Sequence, residues 1–295
     1  MREDIRGGLE GLFKMLVVEV RRLMKIREFL KGRLVSKETD AIVNKIPKPV
    51  GSFGYDAWGF NTEAYKIGIS IFRPIYEKYF RVEVTGLENI PEDGRLLLIA
   101  NHSGQLPIDG ALVGYALATS PHAPRAVRAM IERFFPQAPF IGNILNEVGA
   151  VLGDPVNCAK MLDREEAIVV FPEGIRGAGK PWSERYKLQR FGLGFMHLAV
   201  QTNTPIVPVG IVGCEETMPT LFHLKGMAKL LGIPYLPVTS PIPLPAKVHL
   251  HFGKPMVFEG PIETEDDAAI NVERVKDEIN GLIQKGLETR NGWFS

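Results

Sequence analysis

The stretch Arg95-Leu96-Leu97-Leu98-Ile99-Ala100-Asn101-His102-Ser103-Gly104-Gln105-Leu106-Pro107-Ile108-Asp109 decides how this chain folds. Its apolar first part reads as a strand and its last residues as the start of a helix. A histidine therefore stands at the exposed end of the strand and a carboxylate in the first helical turn. Downstream, Ala167-Ile168-Val169-Val170-Phe171 reads as a second, buried strand. It runs into Pro172-Glu173-Gly174-Ile175-Arg176, which places an acid and an arginine at its carboxyl end. Open α/β sheets keep their ligand sites along that edge, so two charged groups at two strand ends point to one active site.

Outward from these two runs, Arg81–Val84, Ala126–Ile131, Gly149–Leu152, Pro205–Val212 and Lys247–Phe252 are further strands. Helical stretches are predicted at Pro107–Ala118, 136–146, 156–164 and 190–202. This alternation predicts an α/β domain with a largely parallel, mixed sheet flanked by helices. Val272, Val275, Ile279, Ile283 and Leu287 mark a closing helix with one apolar stripe. Tyr65, Ile69, Phe72, Tyr76, Tyr79 and Phe80 form a helical pattern over 62–80, which Pro74 should bend and whose aromatic residues suit a groove wall or a membrane interface. The apolar, proline-rich segment Leu221–Pro245 has no assignment.

Ahead of residue 62, Pro47, Pro49, Gly51, Gly54 and Gly59 predict a break in the helical pattern over 36–62, a linker or wrapped loop. The first 35 residues carry nine Lys/Arg and five Asp/Glu. There Leu9, Leu12, Phe13, Leu16, Val20, Leu23, Leu30 and Leu34 recur mostly at three- and four-residue steps. That is an amphipathic helix, which either lies among lipid headgroups or packs on its own protein. It lacks the continuous apolar segment of a signal peptide. The expected division is an N-terminal amphipathic helix with its linker at 1–61 and one domain at 62–295.

Lys and Arg number 35 against 34 Asp and Glu, a formal net charge of +1, which sets nucleic acid aside as a partner. Cys158 and Cys214 are far apart and without a partner motif, so a disulfide scaffold or structural zinc is not expected and a reducing compartment suits the chain. No apolar run reaches the roughly 18 residues of a spanning helix.

A neutral imidazole near its reference pKa can take a proton from an alcohol, and a carboxylate on its other nitrogen fixes the tautomer. Asp109, the one acidic residue between His102 and Glu132, is the natural partner, with Pro107 opening the helix that carries it. The alternative makes His102 a plain loop residue and Asp109 a plain helix-start residue. No Gly-x-Ser-x-Gly elbow is present, neither cysteine adjoins a histidine, and His249 and His251 on one strand face lack the nearby acids of a metal site. A base without an enzyme nucleophile suits direct attack by a bound hydroxyl on an activated acyl group such as a thioester.

Asn101-His102 with the following Asp109, then Phe171-Pro172-Glu173-Gly174 with Arg176, then Ile206-Val207-Pro208-Val209, resembles the glycerolipid acyltransferases, the superfamily of the lysophosphatidic acid acyltransferases. The resemblance runs from about Val82 to Phe252. It implies an O-acyltransferase with an acyl-CoA or acyl-carrier-protein donor, a glycerolipid acceptor and no cofactor or metal. It also implies peripheral, monotopic attachment at the cytoplasmic face of a membrane. In its terms His102 is the general base and Asp109 its orienting acid. Asn101, Glu173, Gly174 and Arg176 bind substrate, with the Arg176 fork suited to a phosphate. Val207-Pro208-Val209 walls the acyl channel, and amides near Ser103 or Gly104 serve the oxyanion.

Two features depart from the family pattern. Six residues rather than four separate histidine and aspartate, so either the loop bulges or the dyad is broken, and a bulge is the expectation. Gly149-Ala150-Val151-Leu152-Gly153-Asp154 lacks the arginine that usually meets the acceptor phosphate. Lys180, Arg185, Lys187 and Arg190, interleaved with Trp182, Tyr186 and Phe191, are replacement cations or a solvated basic loop. Arg125 and Arg128 are placed to meet the phosphates of coenzyme A. The leading expectation is acyl transfer to a lysophospholipid; a neutral alcohol acceptor such as diacylglycerol and a non-catalytic lipid binder are the alternatives.

Overall fold

The structure, a computed structural model, describes residues 25–46, 51, 54–131, 141–231, 236–292 and 294. The apolar runs become β1 (Glu83–Thr85), β2 (Leu96–Ala100), β3 (Val127–Ile131), β4 (Ala150–Leu152), β5 (Ala167–Val170), β6 (Ile206–Val212) and β9 (His249–Phe252). They form one sheet in the order β1-β9-β6-β2-β5-β3-β4, parallel throughout except where β6 meets β9. β7 (Phe222–His223) and β8 (Pro237–Val238) make a separate small ladder.

β2 explains why an unbroken apolar run was needed. Leu96, Leu98 and Ala100 enter the core on one face of the sheet, while Leu97 and Ile99 enter the core on the other. Side chains alternate across a strand, so a strand covered on both faces must be apolar at every position. The first core is closed by α3 (Thr62–Pro74) and α4 (Ile108–Ala118). The second is closed by α6 (Pro155–Leu162), α8 (Gly194–Gln201) and α11 (Glu265–Thr289), whose stripe Val272, Val275, Ile279 and Ile283 is fully buried. A capping box between Thr264 and Asp267 starts α11.

The remaining helices are α1 (residues 25–34), α2 (Lys37–Lys45), α5 (Ile141–Glu147), α7 (Ile175–Ala178), α9 (Cys214–Thr217) and α10 (Lys225–Leu231). Positions 9–23 of the expected N-terminal helix lie outside the described residues, as do residues 136–140 of the helix expected over 136–146. The break expected across 36–62 is corrected at its start. Ser36 accepts the Thr39 amide at 3.1 Å and caps α2, which is joined to α3 by Asp40–Lys66 at 2.6 Å and Glu38–Arg73 at 2.9 Å. The helix runs to Lys45 with Ile46 as its cap, well into the stretch where a break was expected. Pro74, which has no amide proton, is followed by a π-helical turn at Ile75–Tyr79 that closes through the Phe80 amide on the Ile75 carbonyl.

Candidate active site

His102 and Glu173 are brought together by strand pairing. β2 and β5 are parallel neighbours with Ile99 opposite Val170, so the residues that follow each strand emerge side by side. The helix following β2 covers one face of the sheet and α8, following β5, covers the other. The crevice between the two strand ends is thus the point where the winding reverses, the usual ligand position in open α/β sheets.

His102 Nδ1 lies 2.6 Å from Asp109 Oδ2. That oxygen also accepts the Ser103 amide at 3.0 Å, and Oδ1 accepts the Gly110 amide at 2.8 Å. A fully buried carboxylate receiving two amides is an acceptor, so Nδ1 carries the proton and Nε2 presents its lone pair. The six-residue spacing is accommodated by Gly104, in the left-handed region at φ 81°, and by a tight bond from the Ile108 amide to the Leu106 carbonyl at 2.7 Å. Burial pulls the imidazole pKa down. The charge and hydrogen bond of Asp109, with a smaller contribution from Glu173, outweigh it and leave the net shift upward from 6.5.

Glu173 holds the histidine's backbone. Its Oε1 accepts the His102 amide at 2.9 Å and its Oε2 the Gln189 amide at 2.8 Å. Lys180 Nζ stands 3.6 Å from Glu173 and 2.9 Å from Glu215 Oε1. Glu215 in turn accepts the Tyr186 amide at 2.8 Å, and burial, opposed by Lys180, leaves its pKa raised. A buried chain of charge therefore runs from the His102 backbone through Glu173 and Lys180 to Glu215 in α9. Gly174 begins α7 at φ 54° and ψ −141°, open to glycine alone among ordinary residues. A Cβ on Gly177 would meet Glu173 Cβ at 2.7 Å and His102 Cβ at 2.9 Å, so α7 can lie over the site only because that position is bare.

Other residues singled out from the sequence fall elsewhere. Asn101 faces no cavity: it is fully buried and bonds the Ile211 carbonyl and amide at 3.0 and 2.8 Å, joining β2 to β6 where their ladder ends. Val207, Pro208 and Val209 are internal to β6 and are not among the residues lining the cavity beside His102. The Ser103 amide is occupied by Asp109. Arg125 is buried against the Pro91, Asp93, Gly94 and Glu165 carbonyls, and Arg128 pairs with Asp56 and Glu166, so neither is presented to a coenzyme phosphate. Arg176 is exposed on α7, donating to the Arg190 carbonyl at 3.3 Å. Arg185 is exposed and stacked 4.6 Å from the Trp182 ring, beside a small polar cleft reached by Ser103, Gln105 and Lys180.

Beside His102 opens an apolar cavity of about 270 Å³. Tyr65, Ile69 and Phe72 of α3, Tyr115 of α4, Val148 and Phe171 line it, and Phe171 stacks on the imidazole with ring centres 4.6 Å apart. Its room comes from glycines. Gly68, Gly110 and Gly114 all reach its wall, and a Cβ at Gly114 would have no neighbour within 4 Å. The helical aromatics of 62–80 had hinted at a groove, but the glycines carry no sequence signal distinguishing them from any other. Glu215 was likewise unforeseeable, since only folding brings it to Lys180.

An apolar pocket beside a histidine–aspartate pair suits acyl transfer, and comparison with known proteins points to the same class. The family model described as Acyltransferase matches residues 81–212. A Mycobacterium tuberculosis protein named as uncharacterised is 35% identical over 251 residues, covering 80% of this chain and 69% of its own. The human protein named DGAT1/2-independent enzyme synthesizing storage lipids is 25% identical, over 69% of this chain and 61% of its own. A lyso-glycine lipid O-acyltransferase of Phocaeicola vulgatus is 23% identical, over 58% and 60%. The crystal structure of the 1-acyl-sn-glycerophosphate acyltransferase of Thermotoga maritima shares the fold, with a TM-score of 0.51 at 20% identity, covering 77% of this chain and 83% of that one. The chain belongs to the glycerolipid acyltransferase superfamily and is an acyltransferase enzyme of lipid metabolism. Among the described residues no helix is long and apolar enough to cross a membrane.

Proposed function

We propose that this enzyme moves a fatty acyl group from an acyl-CoA or acyl-carrier-protein thioester to a hydroxyl of a lysophospholipid or related glycerolipid at the cytoplasmic face of a membrane. The observation that carries the reading is His102, oriented by Asp109 at 2.6 Å, at the mouth of the apolar cavity. The acyl chain lies in the cavity with its carbonyl at the imidazole. His102 Nε2 takes the hydroxyl proton as the acceptor oxygen bonds to the thioester carbon, and the buried carboxylate stabilises the imidazolium. Collapse of the tetrahedral intermediate breaks the carbon–sulfur bond, and the imidazolium proton passes to the departing thiolate. No acyl-enzyme forms. Glu173 acts as a positioning residue for His102, and exposed Arg176 and Arg185 receive the polar end of a substrate.

A neutral acceptor, such as diacylglycerol or a long-chain alcohol, is the second reading. It is favoured by the buried cation beside the site being already matched: Lys180 pairs with Glu173 and Glu215. The test is acceptor-dependent thiol release from palmitoyl-CoA in lipid micelles, with lysophosphatidic acid, another lysophospholipid and diacylglycerol offered separately. The expected result is release with one acceptor class, reduced about 10²–10⁴-fold in His102→Ala. Full rate in that variant would overturn the mechanism.

A further inference from the structure

The segment Thr217–Ala246, which separates β6 from β9, contains no acidic residue, and its charged side chains are Lys225 and Lys229. The whole chain balances 35 basic against 34 acidic residues, whereas the fixed charge of this segment is basic alone. The segment leaves the body and returns to it through a narrow base, where the Leu244 amide donates to the Thr217 carbonyl at 2.6 Å. Within it lie β7, α10 and β8. Leu221, Phe222, Met227 and Ile242 are 65, 55, 51 and 65% exposed, and Lys229 is exposed among them. Four large apolar side chains in water on one excursion mark a contact surface.

Its attachments tie this surface to the site. Gln105, in the loop between His102 and Asp109, donates to Thr220 Oγ1 at 2.6 Å, and the Thr220 carbonyl accepts the Trp182 amide at 2.8 Å. His223 Nε2 donates to the Gly179 carbonyl at 2.7 Å, just past α7. At the other end, Tyr79 Oη donates to the Pro243 carbonyl at 2.6 Å. From Tyr79 an exposed strip continues back through Ile75 to Ile71, beside the α3 face that lines the acyl cavity. These bonds tie the segment to the His102 loop at one end and, through Tyr79, to the element that follows the cavity-lining helix at the other.

We infer that the described residues of this segment, 217–231 and 236–246, form a bilayer-docking surface whose partner is an anionic lipid membrane, with Leu221, Phe222, Met227 and Ile242 entering the acyl boundary and Lys229 meeting lipid phosphates. The absence of carboxylates is what an anionic surface requires, since each would be repelled and would cost desolvation. The inference rests on the proposed reaction at a membrane surface and adds the face that meets it. It also gives the hairpin a second role: by gripping Gln105 it holds the catalytic loop against the layer that supplies the lipid.

The test uses the full chain with vesicles of phosphatidylcholine plus phosphatidylglycerol and vesicles of phosphatidylcholine alone. The variant combines Leu221→Glu, Phe222→Glu, Met227→Glu and Ile242→Glu, all at exposed positions. Wild type is expected to co-float with the anionic vesicles and the variant to bind them at least about tenfold more weakly. The variant's melting temperature and its thiol release with a water-soluble, short-chain acceptor should be unchanged. Lys229→Gln should weaken binding to anionic vesicles and leave binding to neutral ones alone. Equal partition of variant and wild type overturns the docking surface. So does a wild-type dimer that the variant lacks, because the patch then covers a second copy. Loss of vesicle binding in a chain that shows no thiol release with any acceptor would leave docking standing while the catalytic reading fell.

Discussion

The two sides of His102 are built on opposite principles. On one side charged groups are matched in series: Asp109 holds the ring, Glu173 the backbone, and Lys180 and Glu215 complete a buried chain to α9. On the other side the wall is carbon, and its shape is set by side chains that are missing at Gly68, Gly110 and Gly114. A buried charge without its partner costs several kcal/mol, so the polar side tolerates almost no rearrangement. An apolar void is indifferent to small changes in what fills it, so the other side can be retuned by one methyl group at a time.

Asp109→Asn should have the largest effect and tests whether the polar side works by orientation. The amide cannot hold the required tautomer as a carboxylate does, and transfer should fall about 10²–10⁴-fold. The pH profile gives the sign. In wild type, kcat/KM should drop as pH falls through an apparent pKa above 6.5, because the net shift of His102 is upward. In the variant burial is left unopposed by Asp109, so the limb should move below 6.5; a limb that stays put would mean Asp109 does not control the base. The same upward shift makes the imidazolium stabilising below pH 6.5, a contribution lost as pH rises through the folded-state value.

Lys180→Met comes next. It strands the Glu173 and Glu215 carboxylates and should lower unfolding free energy by about 3–5 kcal/mol, read by denaturant melts. A neutral outcome would show that the charge chain is incidental. Glycine 114 then breaks the comparison from the other side: Gly114→Leu should leave stability and the His102 pH limb unchanged, and reduce transfer of long acyl groups about 10–200-fold relative to short ones. Equal losses for both lengths would mean the chain lies elsewhere.

His251 supplies the control, with no effect expected on the activity limb. Burial, with lesser contributions from His249 and Lys285, lowers its pKa to about 4. Between pH 6.5 and 4 the unfolded chain takes up a proton that the folded chain refuses, so stability falls by roughly 3 kcal/mol as pH drops across that window. His251→Gln should flatten that slope without moving the activity limb, which separates acid loss of the fold from acid loss of the base.

The sequence was most legible where one interaction dominates. Leu96–Ala100 and Ala167–Val170 are buried on both faces, so their apolar runs name them as strands and place His102 and Glu173 at strand ends. The stripe of α11 was equally plain. Legibility failed where partners are remote. Asn101 beside the histidine looked like part of the site, but its hydrogen-bonding edges meet the Ile211 backbone. Arg125 and Arg128 looked like free cations, and folding turns both inward onto carbonyls and carboxylates. The short α2 has few apolar positions, so the prolines and glycines beyond it overshadowed its cap at Ser36.

By itself the sequence determined the strand-and-helix order, the parallel sheet, and which histidine, aspartate and glutamate stand at its carboxyl edge, because burial periodicity and turn residues act over a few neighbouring positions. Only the tertiary structure decided what each of those groups does. Closure of the six-residue loop onto Asp109, the capture of Glu173 by two backbone amides, and the opening of the cavity at Gly114 depend on contacts between segments far apart in the chain. A hydrogen bond or a void belongs to a pair of surfaces, and the pairing is fixed by packing rather than by either segment alone.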